Sequence, residues 1–254
     1  MESLSQPKKY PKIDSLLKEL SISKEDTNRV NILRNLSSKF NKEDPQNGLI
    51  YSRKALSLAK KLDWKIGTAK SYESIARSYK SLNKYEIAIV NYEKALPTYE
   101  DVDSLFMEAN VYINIGNIYM KLADYENALT NYNKSKEILI ELKNTKEIAS
   151  IYGNIAVINM YRGEYPIALE YFTKAMKADE KNKDSLGLAG DMSNIAIIYN
   201  DMLEFDKALK YLLKVEKIYN NLNHKPGLAR TYGNIGGIYI GLEEYDKALG
   251  YLQR

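Results

Sequence analysis

The strongest constraint on this chain is that it repeats itself every 40 residues. Tyr72, Tyr112, Tyr152, Met192 and Tyr232 share one register, as do Ile75, Ile115, Ile155, Ile195 and Ile235. The small residues Ala76, Gly116, Ala156, Ala196 and Gly236 follow, then Tyr79, Tyr119, Asn159, Tyr199 and Tyr239, then Tyr85, Tyr125, Tyr165, Phe205 and Tyr245. A last column is alanine throughout: Ala88, Ala128, Ala168, Ala208 and Ala248. Self-similarity at such a period is the signature of stacked repeats, in which each unit packs only on its neighbours and the core is a line. A length of 254 residues therefore does not count domains in the usual way.

The spacing inside each repeat is helical. A first helix of about 16 residues, a tight turn and a second helix of similar length account for the columns. The turns are Leu82-Asn83-Lys84, Leu122-Ala123-Asp124, Arg162-Gly163-Glu164, Met202-Leu203-Glu204 and Leu242-Glu243-Glu244. Links this short force neighbouring helices to run antiparallel. Alanine or glycine at the small positions lets two backbones approach, and the large residues on either side fill the flanking grooves. Most of the 22 tyrosines stand in these columns. There they bury a ring and keep a hydroxyl within reach of a partner or water, so they read as packing and not as a ligand box.

The expected fold class is all-α, an alpha-alpha superhelix of antiparallel helix pairs. Residues 1–23 read as a mobile polar lead (Met1–Lys12) and a short helix with Ile13, Leu16, Leu17 and Leu20 on one face. Residues 24–62 read as a degenerate first repeat. Asp26-Thr27 offers N-cap chemistry and Pro45 opens the next helix, while Ala55 aligns with Ala95. Residues 63–254 form an array of about five repeats, counted from the columns. Pro97 falls inside a second helix and should kink it or end it early. The last repeat stops at Arg254 inside its second helix, without a polar capping helix. The expectation is an excised region whose natural chain continues, with Tyr239, Ala248 and Leu252 facing solvent along an edge that self-associates or frays.

The chemistry that is missing narrows the function. Without cysteine there are no disulfides or thiolate metal sites. No apolar run is long enough for a membrane span, and the N-terminus has no signal-like apolar core. This leaves the compartment open, because a signal could have been trimmed. The net charge of +4 is spread along the chain without a basic stripe of the kind nucleic acid requires. His224, the only histidine, sits in a loop with no recurring partner and reads as solvated. No phosphate-binding loop, nucleophile elbow, zinc-protease or calcium-loop pattern occurs. The reading is a non-enzyme that needs no cofactor.

The pattern Tyr-x2-Ile-(Ala/Gly)-x2-Tyr followed by Tyr-x2-Ala-x3-(Tyr/Phe) resembles the tetratricopeptide repeat. Tyr112, Ile115, Gly116, Tyr119, Ala128 and Tyr132 occupy its slots with aromatic and aliphatic exchanges. The family repeat is about 34 residues long and closes on proline. Here the period is longer, and Glu100, Ile140, Glu180 and Asn220 stand where that proline would be. This is similar to the long-repeat class of kinesin light chain and spindle-orientation adaptors. It is most similar to the repeat regions of bacterial signalling proteins, which often precede a histidine kinase, a cyclase or a DNA-binding output. The resemblance implies a module that grips an extended or helical peptide on a concave face lined by first helices, and a role as sensor or interaction region. The alternatives are a scaffold packed against another domain of its own chain, and regulation of a kinase or response regulator in trans. Some similar regulators dephosphorylate response regulators through a separate N-terminal bundle, for which the short lead here leaves little room.

One polar column marks the candidate site. Ser74, Asn114, Asn154, Asn194 and Asn234 each precede the column isoleucine. Asparagine is a mediocre helix former, so its recurrence calls for a reason. An amide offers both donor and acceptor and can pair with the backbone of an extended peptide whatever its side chains. The resemblance implies this role, since asparagines here clamp ligand backbone in similar proteins. Equally, the amides could bond to adjacent first helices and hold the curvature. Flanking columns supply Lys70 and Asn110 one turn earlier, Arg77, Asn117 and Val157 one turn later, then Lys121 and Tyr161. They predict an acidic group near Lys70, Arg77 and Lys121 and an apolar anchor near Val157 and Tyr161; solvated surface lysines are the plainer alternative.

Overall fold

A computed structural model describes residues 11–254. Most of the expected lead, Met1–Tyr10, lies outside the described residues. Among those described there are fourteen helices and no strand: α1 (Pro11–Ile22), α2 (Thr27–Glu43), α3 (Pro45–Lys61), α4 (Lys65–Ser81), α5 (Tyr85–Glu93), α6 (Leu96–Asp101), α7 (Leu105–Lys121), α8 (Tyr125–Glu141), α9 (Thr145–Tyr161), α10 (Tyr165–Asn182), α11 (Ser185–Asp201), α12 (Phe205–Asn221), α13 (Lys225–Gly241) and α14 (Tyr245–Leu252). None is long and apolar enough to cross a membrane.

Helix starts follow local chemistry. Asp26 accepts from the Arg29 amide at 3.0 Å and Asp44 from the Asn47 amide at 3.2 Å, satisfying donors with no partner inside the first turn. Pro45, Pro166 and Pro226 sit in first turns, where a missing N–H costs nothing. His224 departs from the expectation of a solvated loop residue. It is half-buried, its Nδ1 accepts from the Gly227 amide at 3.0 Å, and its ring stacks on Tyr219 at 5.1 Å. The residue before a helix start is a capping position, and an imidazole nitrogen can fill it.

Helix ends share one device. Residues 63, 83, 103, 123, 143, 163, 183, 203, 223 and 243 all have positive φ, and only Gly163 among them is glycine. At each, the next amide reaches back to the carbonyl five residues before it, as from Lys84 to Tyr79 (2.9 Å) and from His224 to Tyr219 (2.9 Å). This is the Schellman closure, which satisfies carbonyls left open by the last turn. The turn between repeats is thus the same as the turn within a repeat, and the backbone has half the period of the side chains. At Pro97, which has no N–H to give Glu93, the second helix of that repeat divides into α5 and α6.

The described residues form two compact units, 11–131 and Tyr132–Arg254, divided inside α8. In the first, α2 packs on α3, α3 on α4, α4 on α5, and both α5 and α6 on α7. Ala76, Ala88, Tyr92, Tyr99, Val111 and Ile115 form the main core there. In the second, α9 to α14 pack each on the next, with cores around Ala168, Phe172 and Ile195 and around Ala208, Leu212 and Ile235. The alanine column is at most 2% exposed throughout, because a β-carbon is all the space between the two helices of a pair allows. The column tyrosines sit at the boundary: Tyr199 stacks on Tyr211 and Tyr239 on Tyr251, each at 5.8 Å. Ala248 is buried and Tyr239 half-buried, so of the three residues expected to face solvent at the last repeat only Leu252 is exposed. The short α14 packs on α13, which buries Ala248 between them and stacks Tyr251 on Tyr239.

Candidate functional site

In the second unit the polar column contributes Asn154 from α9, Asn194 from α11 and Asn234 from α13, one per first helix and each half-buried. They have no side-chain hydrogen-bond partner among the described residues. Between α11 and α13 lies a cleft of about 250 Å³ lined by Asn234, Asn200, Ile197, Gly233 and Gly237. A β-carbon at Gly233 or Gly237 would meet nothing within 4 Å, so these glycines face open space inside a helix. On α9, Val157 is half-buried against the core and Tyr161 is 62% exposed, one turn further along the same helix.

In the first unit the column is tied to its own helices. Asn114 of α7 donates to the Asn110 carbonyl at 2.8 Å, and Asn110 donates to that of Phe106 at 2.8 Å. Ser74 of α4 donates to the Lys70 carbonyl at 3.1 Å and meets Arg77 at 3.4 Å. Other side chains join neighbouring first helices here. The Ser37 and Ser78 hydroxyls meet at 3.2 Å, and Arg34 Nε donates to the Lys70 carbonyl at 3.2 Å. Asn117 is half-buried on α7 and Lys121, at the end of that helix, is exposed.

The same unit collects positive charge. Arg77 pairs with Glu73 at 3.1 Å, and the buried Glu73 also accepts the Tyr99 hydroxyl. Burial lowers the pKa of Arg34, and nearby Arg77 lowers it further. Burial likewise lowers that of Lys80, with Arg77 and Lys121 adding to the effect. Arg77 acts on both, and Lys121 acts on Lys80, so two of the three predicted cations share a field with Arg34 of α2 and Lys80 of α4.

The second unit holds the opposite arrangement at the junction of α10 and α11. Asp184 caps α11, accepting from the Gly187 amide at 2.9 Å. Asp179 packs so close that a β-carbon on Gly187 would lie 2.2 Å from its Oδ2. Burial pushes the Asp179 carboxyl up to about 6, with Asp184 contributing. Asp191 stands where the other repeats bury Ser71, Val111, Ile151 and Thr231; its Oδ2 is buried without a partner. Burial first, then Asp179 and Asp184, push it up to about 8. Among the described residues no group of three or more histidine or carboxylate side chains could hold a metal ion.

Arg34, Lys80 and Asn200 are the residues the sequence reading missed. Lys80 and Asn200 belong to the column Lys80, Met120, Met160, Asn200 and Ile240, one turn beyond Arg77 and Ile197. Two polar residues in an otherwise apolar column were the available signal. Arg34 lies in the degenerate first repeat, where the register is weakest.

The sequence profile of the tetratricopeptide repeat matches residues 107–181 and 188–254, more than half of the chain, and a second profile of that repeat matches residues 68–102. Among curated protein sequences none matches. Several solved structures share the fold. BtubC (BKLC) from P. vanneervenii superposes with a TM-score of 0.74 at 20% identity, over 84% of this chain and 91% of its own. The STAND protein PH0952 from Pyrococcus horikoshii, with a tetratricopeptide repeat sensor, gives 0.80 at 16% over 95% of this chain, which spans 38% of its length. A Rap protein complexed with competence and sporulation factor gives 0.64 at 18%, over 92% of this chain and 71% of its own. At these identities the likeness speaks for the fold alone. The columns, the paired helices and the profile matches agree: the chain belongs to the tetratricopeptide repeat family.

Proposed function

We propose that this chain is a non-enzymatic peptide- or protein-binding module, the sensor or interaction region of a larger bacterial signalling protein. Repeats of this family are protein-interaction modules, and two of the structures that share the fold are a Rap protein complexed with competence and sporulation factor and a signal transduction ATPase with a repeat sensor. The observation that carries the reading is the set of three half-buried amides, Asn154, Asn194 and Asn234, at equivalent places on three first helices and without a protein partner. A half-buried amide that no protein group engages is open to a visiting backbone, which presents N–H and C=O alternately. The apolar side chains of Val157, Tyr161 and Ile197 would seat side chains of the bound segment.

The test uses a peptide selected against the chain from a random library. Its affinity is measured by calorimetry on the native chain and on the Asn154→Ala, Asn194→Ala, Asn234→Ala variant. Alanine is the better helix former, so the variant keeps its fold. Each lost amide contact is worth about 0.5–1.5 kcal/mol, so together they should weaken binding at least about tenfold. Equal affinity in native and variant chains would refute the reading.

A further inference from the structure

Three consecutive first helices of the first unit carry cations that outnumber the acids beside them. Arg34 stands on α2, Lys70, Arg77 and Lys80 on α4, and Lys121 on α7. Arg34 spends its Nε on the Lys70 carbonyl and one terminal nitrogen on Asn31 Oδ1, at 3.2 and 3.1 Å, and has no carboxylate within ion-pair distance. Lys80 is half-buried and likewise has none. Glu73 is the one acid of the group. It occupies the column filled elsewhere by Ile113, Gly153, Ser193 and Gly233, and it is 7% exposed. Its two oxygens are both engaged, one by Tyr99 and the other by Arg77. Glu73 is therefore a fixed element that orients Arg77 from one side; the other terminal nitrogen makes only a long contact to Ser74 at 3.4 Å, and Nε donates to no side chain among the described residues. Crowded, half-buried cations lose hydration and repel one another, and the lowered values of Arg34 and Lys80 report that condition. An external anion relieves the repulsion and offsets the lost hydration with direct contacts.

We propose that the first unit binds a phosphoryl group, carried on a side chain of a peptide or protein partner, between Arg34, Arg77, Lys80 and Lys121. The proposal rests on the peptide-binding reading and names the group expected near Lys70, Arg77 and Lys121. Charge decides between the anions. With Glu73 committed, four cations face one carboxylate, and a second carboxylate would leave most of the excess in place. A phosphoryl group brings about −1.5 to −2 charges at neutral pH and three acceptor oxygens. The N–H groups left over on two guanidiniums from different helices, with two ammonium groups beside them, suit three such oxygens better than they suit the two of a carboxylate.

The experiment is an NMR titration of the full chain with three blocked pentapeptides, Gly-Gly-X-Gly-Gly, in which X is phosphoserine, glutamate or serine. Inorganic phosphate is a fourth arm, and ionic strength is held constant so that screening does not differ. The phosphoserine peptide should shift backbone amides over residues 73–81 and bind at least tenfold more tightly than the glutamate peptide. Lys80→Gln, which leaves the Arg77–Glu73 pair intact, should reduce that preference severalfold, and Arg34→Gln should do the same. Equal binding of phosphoserine and glutamate peptides would overturn the proposal, as would a preference that survives both variants or a response to inorganic phosphate alone. Because the pentapeptides are too short to need the amide row, the Asn154→Ala, Asn194→Ala, Asn234→Ala variant should keep the preference. Failure of the library selection with the phosphoserine preference intact would sink the peptide-backbone reading and leave the anion site standing.

Discussion

Leu203 illustrates how local backbone geometry is imposed on side chains that do not favour it. Its φ is 59° and its side chain is 73% exposed, so neither packing nor solvation explains a leucine there. A left-handed conformation costs a residue with a β-carbon about 1–2 kcal/mol, part of which glycine gives back as entropy. Leu203→Gly is therefore expected to raise stability by about 0.5 kcal/mol, and Gly163→Ala, at φ 73°, to lower it by about 1 kcal/mol, both read from urea midpoints. Asp191 offers a second test. Its folded pKa, about 8, lies above the model-compound value of 3.8, so the folded chain holds a proton that the unfolded chain releases. Its favourable contribution is complete below pH 4 and is lost as pH rises through 8, with Asp179 adding to the slope up to about pH 6. Urea midpoints of the native chain should fall between pH 5 and pH 8, and Asp191→Asn should flatten most of that fall. An unaltered slope in the variant would place the titration elsewhere. The sequence displayed Asp191 in a column of buried Ser, Val, Ile and Thr, but not that Asp179 and Asp184 from the preceding turn would close on it.

Pairs of helices were the most legible feature of this chain. The alanine column works because helices that approach to a β-carbon leave no second choice of residue. Ala168→Leu should overpack the contact of α9 with α10 and cost about 1–3 kcal/mol, seen as a lower urea midpoint without loss of helical signal at low denaturant. A tolerated leucine would mean the pair can slide apart, against the packing account. Pro97 was readable for the same kind of reason, since a missing N–H acts locally and needs no knowledge of neighbours. The turns between repeats were not read. Asp63, Asp103, Lys143, Lys183 and Asn223 share a backbone conformation but no residue type, so a side-chain periodicity could not show it. His224 escaped for a similar reason, because capping depends on where the helix starts and not on which residues recur.

Across the molecule, one sequence column has two fates. In the first unit Ser74 and Asn114 turn back onto carbonyls of their own helices, and serine and arginine side chains join the first helices to one another. In the second unit Asn154, Asn194 and Asn234 keep their amides unengaged. Register placed all of these residues at equivalent points, but register carries no information on whether a rotamer folds back or stays open. On that difference rests the proposal that the second unit recognises peptide backbone and the first recognises charge. The most direct test is an NMR titration of the chain with the library-selected peptide, following the side-chain NH₂ signals of asparagine. The account predicts that Asn154, Asn194 and Asn234 shift together and saturate at one peptide equivalent, while Asn220, exposed on the second helix α12, stays in place. Shifts confined to Asn220 and its neighbours on second helices, with the three amides unmoved, would contradict it.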